Sequence, residues 1–302
     1  MLHTAARSDV PYLNHTVLST TRHEILSATG SRYAPASPCD GLQNLVDAPA
    51  PCVFIGKPCD VAAVQKARKW RPDIDEKVGL TIAIFCAGTP TTAGTLALLE
   101  KFGVTDPSRL QSIRYRGNGW PGRAHVVFDN AEGQQEESSM TYASSWGDIL
   151  TDYQQWRCNI CADHTGEFAD IAVGDPWYRE ISSDDPGRSL VLARAELGRQ
   201  FMNEAMANGY LTMERGAAEI LPASQPNILK TRGAVWGRLL ALRLVGVPVP
   251  NMRGMPLFHI WLKHLSFRQK IQSLLGTIRR VFRRRLWHRH IVKPFEPTRS
   301  KT

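Results

Sequence analysis

Two short apolar runs, Cys52-Val53-Phe54-Ile55 and Leu80-Thr81-Ile82-Ala83-Ile84-Phe85, constrain this chain's fold more than any other feature. Each has the length and β-branched content of a buried strand, and each is followed by a helical stretch, from about Asp60 to Trp70 and from Thr91 to Phe102. Strand, helix, strand, helix predicts a parallel α/β unit. Ser112 to Arg116 reads as a third strand running into a glycine-rich turn, and Ala124 to Asp129 as a fourth that forms a hairpin with the polar segment after it. Trp146 to Trp156 is expected to be helical, and Asp170 to Val173 a strand ending at Gly174-Asp175-Pro176-Trp177. Ser189 to Arg194, a helix over Glu196–Asn208 and a strand over Tyr210–Glu214 repeat the alternation, and helix Ile228–Val245 closes the body. Residues 1–50 are weakly patterned, with a helical stretch near Glu24 to Ala28 and a turn at Thr29 to Tyr33. The predicted architecture is α/β, a mainly parallel sheet flanked by helices over residues 1–255, with a basic amphipathic helical tail over 256–302.

The chain has 302 residues, of which 43% are hydrophobic, enough to bury a core. Its formal charge of +9 would suggest nucleic acid if it were spread evenly. It is not: residues 259–302 hold twelve Lys and Arg against one acid, and the preceding residues are slightly acidic. Such a distribution speaks of an attachment surface and makes nucleic acid an unfavoured partner. The first residues lack the apolar stretch of a secretory signal, so the expected location is cytoplasmic, with peripheral contact at the inner membrane face. The uncharged window Val78 to Leu99 is broken by Gly79, Gly88, Pro90 and Gly94, and reads as strand, turn and helix start instead of a membrane span.

Six cysteines in a cytosolic protein point to reduced thiols, metal ligation or redox work. Ligands of open parallel sheets collect beyond the carboxyl ends of the strands. Cys59 lies three residues past the strand that ends at Gly56, and Cys86 ends the next strand, so neighbouring strands would turn both thiols to one crevice. Cys158-Asn159-Ile160-Cys161 is a CxxC able to grip one metal or cluster from a single turn. Four thiolates suit a [4Fe-4S] cluster or a structural zinc equally, and a thioredoxin-like CxxC would stand at a helix start after an early strand, unlike this one. The plainer reading of Cys59 and Cys86 is small buried side chains, the class to which Cys39 and Cys52 are assigned.

Arg114-Tyr115-Arg116-Gly117-Asn118-Gly119-Trp120-Pro121-Gly122 sets glycines, arginines and an aromatic at the end of a strand. Glycines let backbone N–H groups approach phosphate, arginines supply charge and tryptophan stacks on a planar ring; an ordinary tight turn is the alternative. Gly30-Ser31-Arg32-Tyr33 is a weaker instance of the same chemistry. No GxGxxG opens a helix after the first strand, which disfavours a dinucleotide held in the Rossmann manner. Asp163 to Glu167 and Asp170 lack calcium-loop spacing and are read as turn and strand-cap residues.

Gly56-Lys57-Pro58-Cys59-Asp60, Phe85-Cys86-Ala87-Gly88-Thr89-Pro90, Arg116 to Gly122 and Cys158 to Asp163, followed by Ala169 to Trp177, resemble in this order the coenzyme F420 hydrogenase/dehydrogenase beta-subunit family. The resemblance runs from about Ser19 to Ile220. It implies FAD and iron–sulfur cofactors, with electrons passing between a deazaflavin, ferredoxin or similar carrier and a substrate. Carried over, it makes Cys59, Cys86, Cys158 and Cys161 the ligands of one [4Fe-4S] cluster. It makes Gly30, Ser31, Arg32, Tyr33, Lys57, Arg116, Gly117, Asn118, Gly119 and Trp120 the flavin contacts. The cysteine-rich ferredoxin-like segment of many relatives does not precede Ser19, so one cluster and an external donor, ferredoxin or reduced deazaflavin, are expected. Lys57 and Asp60 stand where hydrogenase-type members carry Thr and Gln, and the family also includes chlorophyll-pathway reductases, so the substrate is left open. No catalytic acid is assigned, since His125 and His164 are lone histidines. The alternative is a non-enzymatic metal-binding scaffold or adaptor docking on a membrane or a protein.

In the tail, Ile271, Leu274, Leu275, Ile278, Val281 and Phe282 recur at helical spacing, with Lys270, Arg279, Arg280, Arg283 and Arg284 beside them and Trp261 and Trp287 near the ends. Such a helix either lies in an anionic membrane surface or packs its stripe on its own domain.

Overall fold

A computed structural model describes residues 1–180 and 186–288. The main sheet has six strands in the order β2-β1-β3-β4-β8-β9. They are β1 Leu2–Ala6, β2 Asn14–Leu18, β3 Cys52–Gly56, β4 Val78–Ile84, β8 Ile171–Gly174 and β9 Leu190–Ala193. The four inner strands β1, β3, β4 and β8 run parallel, whereas β2 and β9 pair antiparallel at the two edges. The α/β class and mainly parallel sheet expected from the two apolar runs are what the chain forms. Helix α1, Pro58–Arg68, follows β3, and helix α2, Thr92–Lys101, follows β4.

Strand β1 is not legible in the sequence because its residues, LHTAA, include one large apolar side chain. It is recruited by pairing: Leu2 sits opposite Phe54 in register and packs with Val61, Val64, Ile74 and Val78 in one core. The strand expected over Ser112–Arg116 forms as β5, Leu110–Arg114, but in a second, antiparallel sheet with β6, Arg123–Asp129, and β7, Gln135–Thr141. The β6–β7 hairpin is as expected. This small sheet covers α2: Leu98, Leu99 and Phe102 are buried against Ile113, Tyr115, Val126 and Phe128.

Two expectations fail. The strand over Tyr210–Glu214 does not form; Tyr210, Leu211 and Met213 stay exposed, and a strand without a buried face gains nothing to offset the cost of ordering its backbone. The single helix over Trp146–Trp156 is instead a wide helical turn at Ala143–Ile149, a 3-10 turn at Leu150–Tyr153 and a short helix Trp156–Asn159.

Helices α3, Glu196–Ala207, α4, Ile228–Leu244, α5, Leu257–His264, and α6, Phe267–Arg284, follow the sheet. The fold separates into two compact units. One comprises residues 1–155 and 165–224; the other takes Trp156–His164 together with Gln225 and the residues after it. The boundary expected at residue 255 falls inside the second unit, because α5 and α6 pack on α4: Leu257, Ile260 and Val281 are buried, and Leu257 and Val281 share a core with Val235, Leu239, Leu242 and the inserted Ile160 and Ala162. Among the described residues no helix is long and apolar enough to cross a membrane.

Candidate functional site

The carboxyl ends of β3, β4 and β8 lie side by side along one edge of the parallel sheet, with neighbouring strands about 5 Å apart. Each end carries a residue that the sequence singles out. Beyond β3, Pro58 occupies the first turn of α1 and Cys59 follows it, exposed. The Lys57 backbone N–H donates to Asp60 Oδ2 at 2.9 Å, and its ammonium pairs with the same oxygen at 2.6 Å and donates to the Ala36 carbonyl at 3.2 Å. Burial depresses the Lys57 ammonium, but Asp60 and the thiols of Cys59 and Cys86 outweigh it, so its pKa is raised. One cation therefore feels both cysteines, which is how the structure brings Cys59 and Cys86 into a common neighbourhood. The loop after Cys86 is pinned by Gln154, whose Nε2 donates to the Ala87 carbonyl at 2.6 Å, and by Gln155, whose N–H donates to Thr89 at 3.1 Å.

Cys158 and Cys161 belong to the second unit. They bracket one turn closed by the Cys161 N–H to the Cys158 carbonyl at 3.2 Å. The Cys161 thiol donates to the Asp163 carbonyl at 3.2 Å. Burial pushes its pKa up, opposed by a hydrogen bond from the Asp163 backbone and by the charge of Arg157. Helix α4 grips this segment from behind: Arg232 Nε donates to the Ala162 carbonyl at 3.1 Å, and Arg238 donates to the Asn159 carbonyl. Burial, with Arg280 nearby, pulls the Arg238 guanidinium down to about 10. Sequence reasoning misses Arg232 and Arg238, since nothing local marks an arginine whose partner is a carbonyl more than sixty residues away.

The two turns singled out for a planar cofactor are neighbours in the first unit. A Cβ at Gly30 would stand 2.8 Å from Arg114 Nη1 and 3.3 Å from the Arg116 carbonyl, and Gly30 has φ +99°. The glycine-rich turn is fastened to the end of β8. Arg116 Nη1 and Nη2 donate to Asp175 at 2.7 and 3.2 Å, Arg116 Nε donates to the Pro121 carbonyl, and Trp120 Nε1 donates to Asp175 at 3.1 Å. Burial lowers the Arg116 pKa, yet Asp175 and Tyr33 together raise it further. An aromatic chain runs past this ion pair: Trp146 to Tyr33 at 4.6 Å, Tyr33 to Tyr142 at 6.4 Å, Tyr142 stacked on Trp177 at 5.4 Å, and Trp177 to Trp120 at 5.1 Å. The guanidinium of Arg116 lies 5.1 Å from the Tyr142 ring centre and 5.5 Å from that of Trp177. Burial pushes the Tyr142 hydroxyl up, so it stays a neutral donor.

The charge expected of these arginines toward phosphate is spent internally. Arg32 donates to Asn14 Oδ1 and to the carbonyls of Pro11, Leu13 and Ile113, and Arg116 is engaged by Asp175 and Pro121. Both guanidinium groups stiffen the turns that carry them. The turn itself depends on glycine: Gly122 has φ +79°, and a Cβ there would meet the backbone N of Gly117 at 2.4 Å and its O at 2.6 Å. Gly122→Ala is expected to destabilise the fold by about 2 kcal/mol or more, read as a lower urea midpoint.

Among the described residues, no three or more Cys, His, Asp or Glu side chains gather around a single metal position. The thiols instead stand as two pairs, each with a cation in electrostatic reach, which is donor chemistry that fits a thiolate-ligated iron–sulfur cluster. The aromatic faces beside a glycine turn fit a planar ring bearing phosphates.

Comparison with known proteins bears on these residues. The sequence model for the C-terminal region of coenzyme F420 hydrogenase/dehydrogenase beta subunits matches residues 51–219. Over 225 residues the chain is 26% identical to the coenzyme F420 hydrogenase subunit beta of Methanosarcina barkeri, covering 68% of this chain and 66% of that protein. It is 24% identical over 206 residues to an uncharacterized protein of Methanocaldococcus jannaschii, covering 65% of this chain and 51% of the relative. The chain thus spans about two thirds of one relative and about half of the other. Its fold is similar to a chain of the F420-reducing [NiFe] hydrogenase complex of Methanosarcina barkeri, with a TM-score of 0.56, 21% identity and 78% of each chain covered.

Proposed function

Because this chain belongs to the coenzyme F420 hydrogenase/dehydrogenase beta-subunit family, we propose that it is an iron–sulfur flavoprotein oxidoreductase. Its electrons would come from an external donor such as ferredoxin or reduced deazaflavin and go to a substrate still to be identified. When bound, a [4Fe-4S] cluster and FAD supply one-electron relay and hydride chemistry respectively. Cys59, Cys86, Cys158 and Cys161 are the ligands of that cluster in this reading. Lys57 and Arg157 offset the negative charge of the thiolates, and Asp60 holds Lys57 in place. Tyr33, Tyr142 and Trp177 offer ring faces to the flavin, and the Arg116–Asp175 pair holds the glycine turn beside them.

The observation that carries the reading is the shared edge: thiols at the ends of β3 and β4, and the aromatic cluster fastened at the end of the adjoining β8. A site whose ligands come in pairs is completed by the free energy of binding the metal itself.

The test is anaerobic purification followed by an absorption spectrum and analysis of iron, sulfide and flavin. A brown protein with about four iron atoms per chain and bound FAD is expected. A colourless, iron-free protein with stoichiometric zinc would replace this reading with that of a metal-binding scaffold.

A further inference from the structure

We propose that α6 is an interfacial anchor that lays its apolar stripe into an anionic lipid bilayer surface. The helix is defined by its own signals: Ser266 Oγ accepts from the Gln269 N–H at 3.3 Å, and the Ser266 N–H donates to Gln269 Oε1 at 3.0 Å, a reciprocal N-terminal cap. Its packing face takes in only the edge of its apolar face. Ser273, Thr277 and Val281, four residues apart, are the buried ones. A Cβ at Gly237 of α4 would lie 2.1 Å from Ser273 Oγ, which shows how closely small residues let the two helices approach. Trp261 Nε1 of α5 donates to the same hydroxyl at 3.2 Å.

At about 100° per residue, the large apolar side chains Phe267, Ile271, Leu275, Ile278 and Phe282 are centred about a third of a turn around from that face. Phe267 is 78% exposed, Leu275 61% and Phe282 60%. Arg268, Arg279 and Arg283 border this stripe on the side away from the packed face, and all three are exposed. Of the stripe read from the sequence, Val281 packs on α4 and Leu274 and Ile278 are half-buried, while Ile271, Leu275 and Phe282 stay exposed. An apolar ribbon with an arginine border is the geometry of a helix lying in a lipid interface, aromatic and aliphatic side chains in the acyl boundary and cations at the headgroups.

Charge selects the occupant. A second copy would set arginine border against arginine border. Residues 289–302 carry four Lys and Arg against one Glu, so the sequence after the helix is basic as well. An anionic surface matches both the ribbon and its rim. This inference does not depend on the redox reading.

The test is sedimentation of the full chain with vesicles of phosphatidylcholine alone or with 30% phosphatidylglycerol, alongside Leu275→Glu/Phe282→Glu and Arg279→Gln/Arg283→Gln. All four positions are exposed, so circular dichroism is expected to show an unchanged fold. Wild-type protein should partition at least tenfold more strongly into the anionic vesicles, and each double variant should lose tenfold or more. Equal partitioning into both vesicle types, or binding unchanged in both variants, would overturn the proposal. A wild-type dimer that falls apart in Leu275→Glu/Phe282→Glu and ignores vesicles would instead make the face a self-interface. Capture of an acidic protein by this face without vesicle binding would equally overturn it.

Discussion

Replacing Cys158 by serine is expected to remove most of the iron and visible colour from anaerobically purified protein without unfolding it. Serine is nearly isosteric with cysteine, and Cys158 is half-buried at the end of a short helix, so Ile160 and Ala162 keep their packing on α4. Compared as iron-free proteins, wild type and variant should therefore differ in stability by only about 0.5 kcal/mol. Ligation, by contrast, requires a soft thiolate, which a hydroxyl cannot provide at neutral pH. Iron should fall from about four atoms per chain to below about one. Cys52→Ser is the matched control: Cys52 opens β3, at the end of the strand opposite Cys59, and its Sγ lies 3.4 Å from the Ala50 carbonyl, so its loss should leave iron content untouched. Full iron content in Cys158→Ser would remove the CxxC from the ligand set and the four-thiol reading with it.

The second large effect is expected at Asp175. Arg116 is 8% exposed and receives its charge partner from the end of β8. Removing one partner of a fully buried pair costs about 3–5 kcal/mol, because the other charge is left without compensation. The Asp175 side chain is 32% exposed, so water offsets part of that, and Asp175→Asn is expected to cost about 2 kcal/mol. Asparagine can still accept from Trp120 Nε1, which separates the loss of charge from the loss of the hydrogen bond. Flavin content should drop together with stability, since the same pair holds the glycine turn against the aromatic chain. Adding Arg116→Met should recover part of the stability but none of the flavin. An unchanged midpoint in Asp175→Asn would show that the pair does not organise the turn.

Local signals in the sequence explain why some of this is legible. Strands β3 and β4 announce themselves as apolar runs, the β6–β7 hairpin as alternation around a polar turn, and CxxC by spacing alone. Strand β1 carries no such signal; its burial comes from pairing with β3, a contact over fifty residues long in sequence. Arg32 resembles a phosphate ligand because glycine and tyrosine flank it, but its partners Pro11, Leu13 and Ile113 are set by tertiary structure. The exposed stripe of α6 is visible as a stripe, whereas its direction depends on Gly237 offering Ser273 a closer fit than any leucine could find. Asp175 stands in a recognisable strand-end turn, while nothing near Tyr142 marks it as a ring face for the same cluster.

The nine residues Trp156–His164 belong to the second unit although the chain on either side belongs to the first. Ile160 and Ala162 share a core with residues of helices that begin some sixty-five residues later. No single recombination point can therefore transplant one half of this protein into a relative: a chimera joined after Ser224 would inherit both thiols of the CxxC but a foreign cushion beneath them. Such a chain would have to co-adapt that cushion before its cysteine loop could hold its shape.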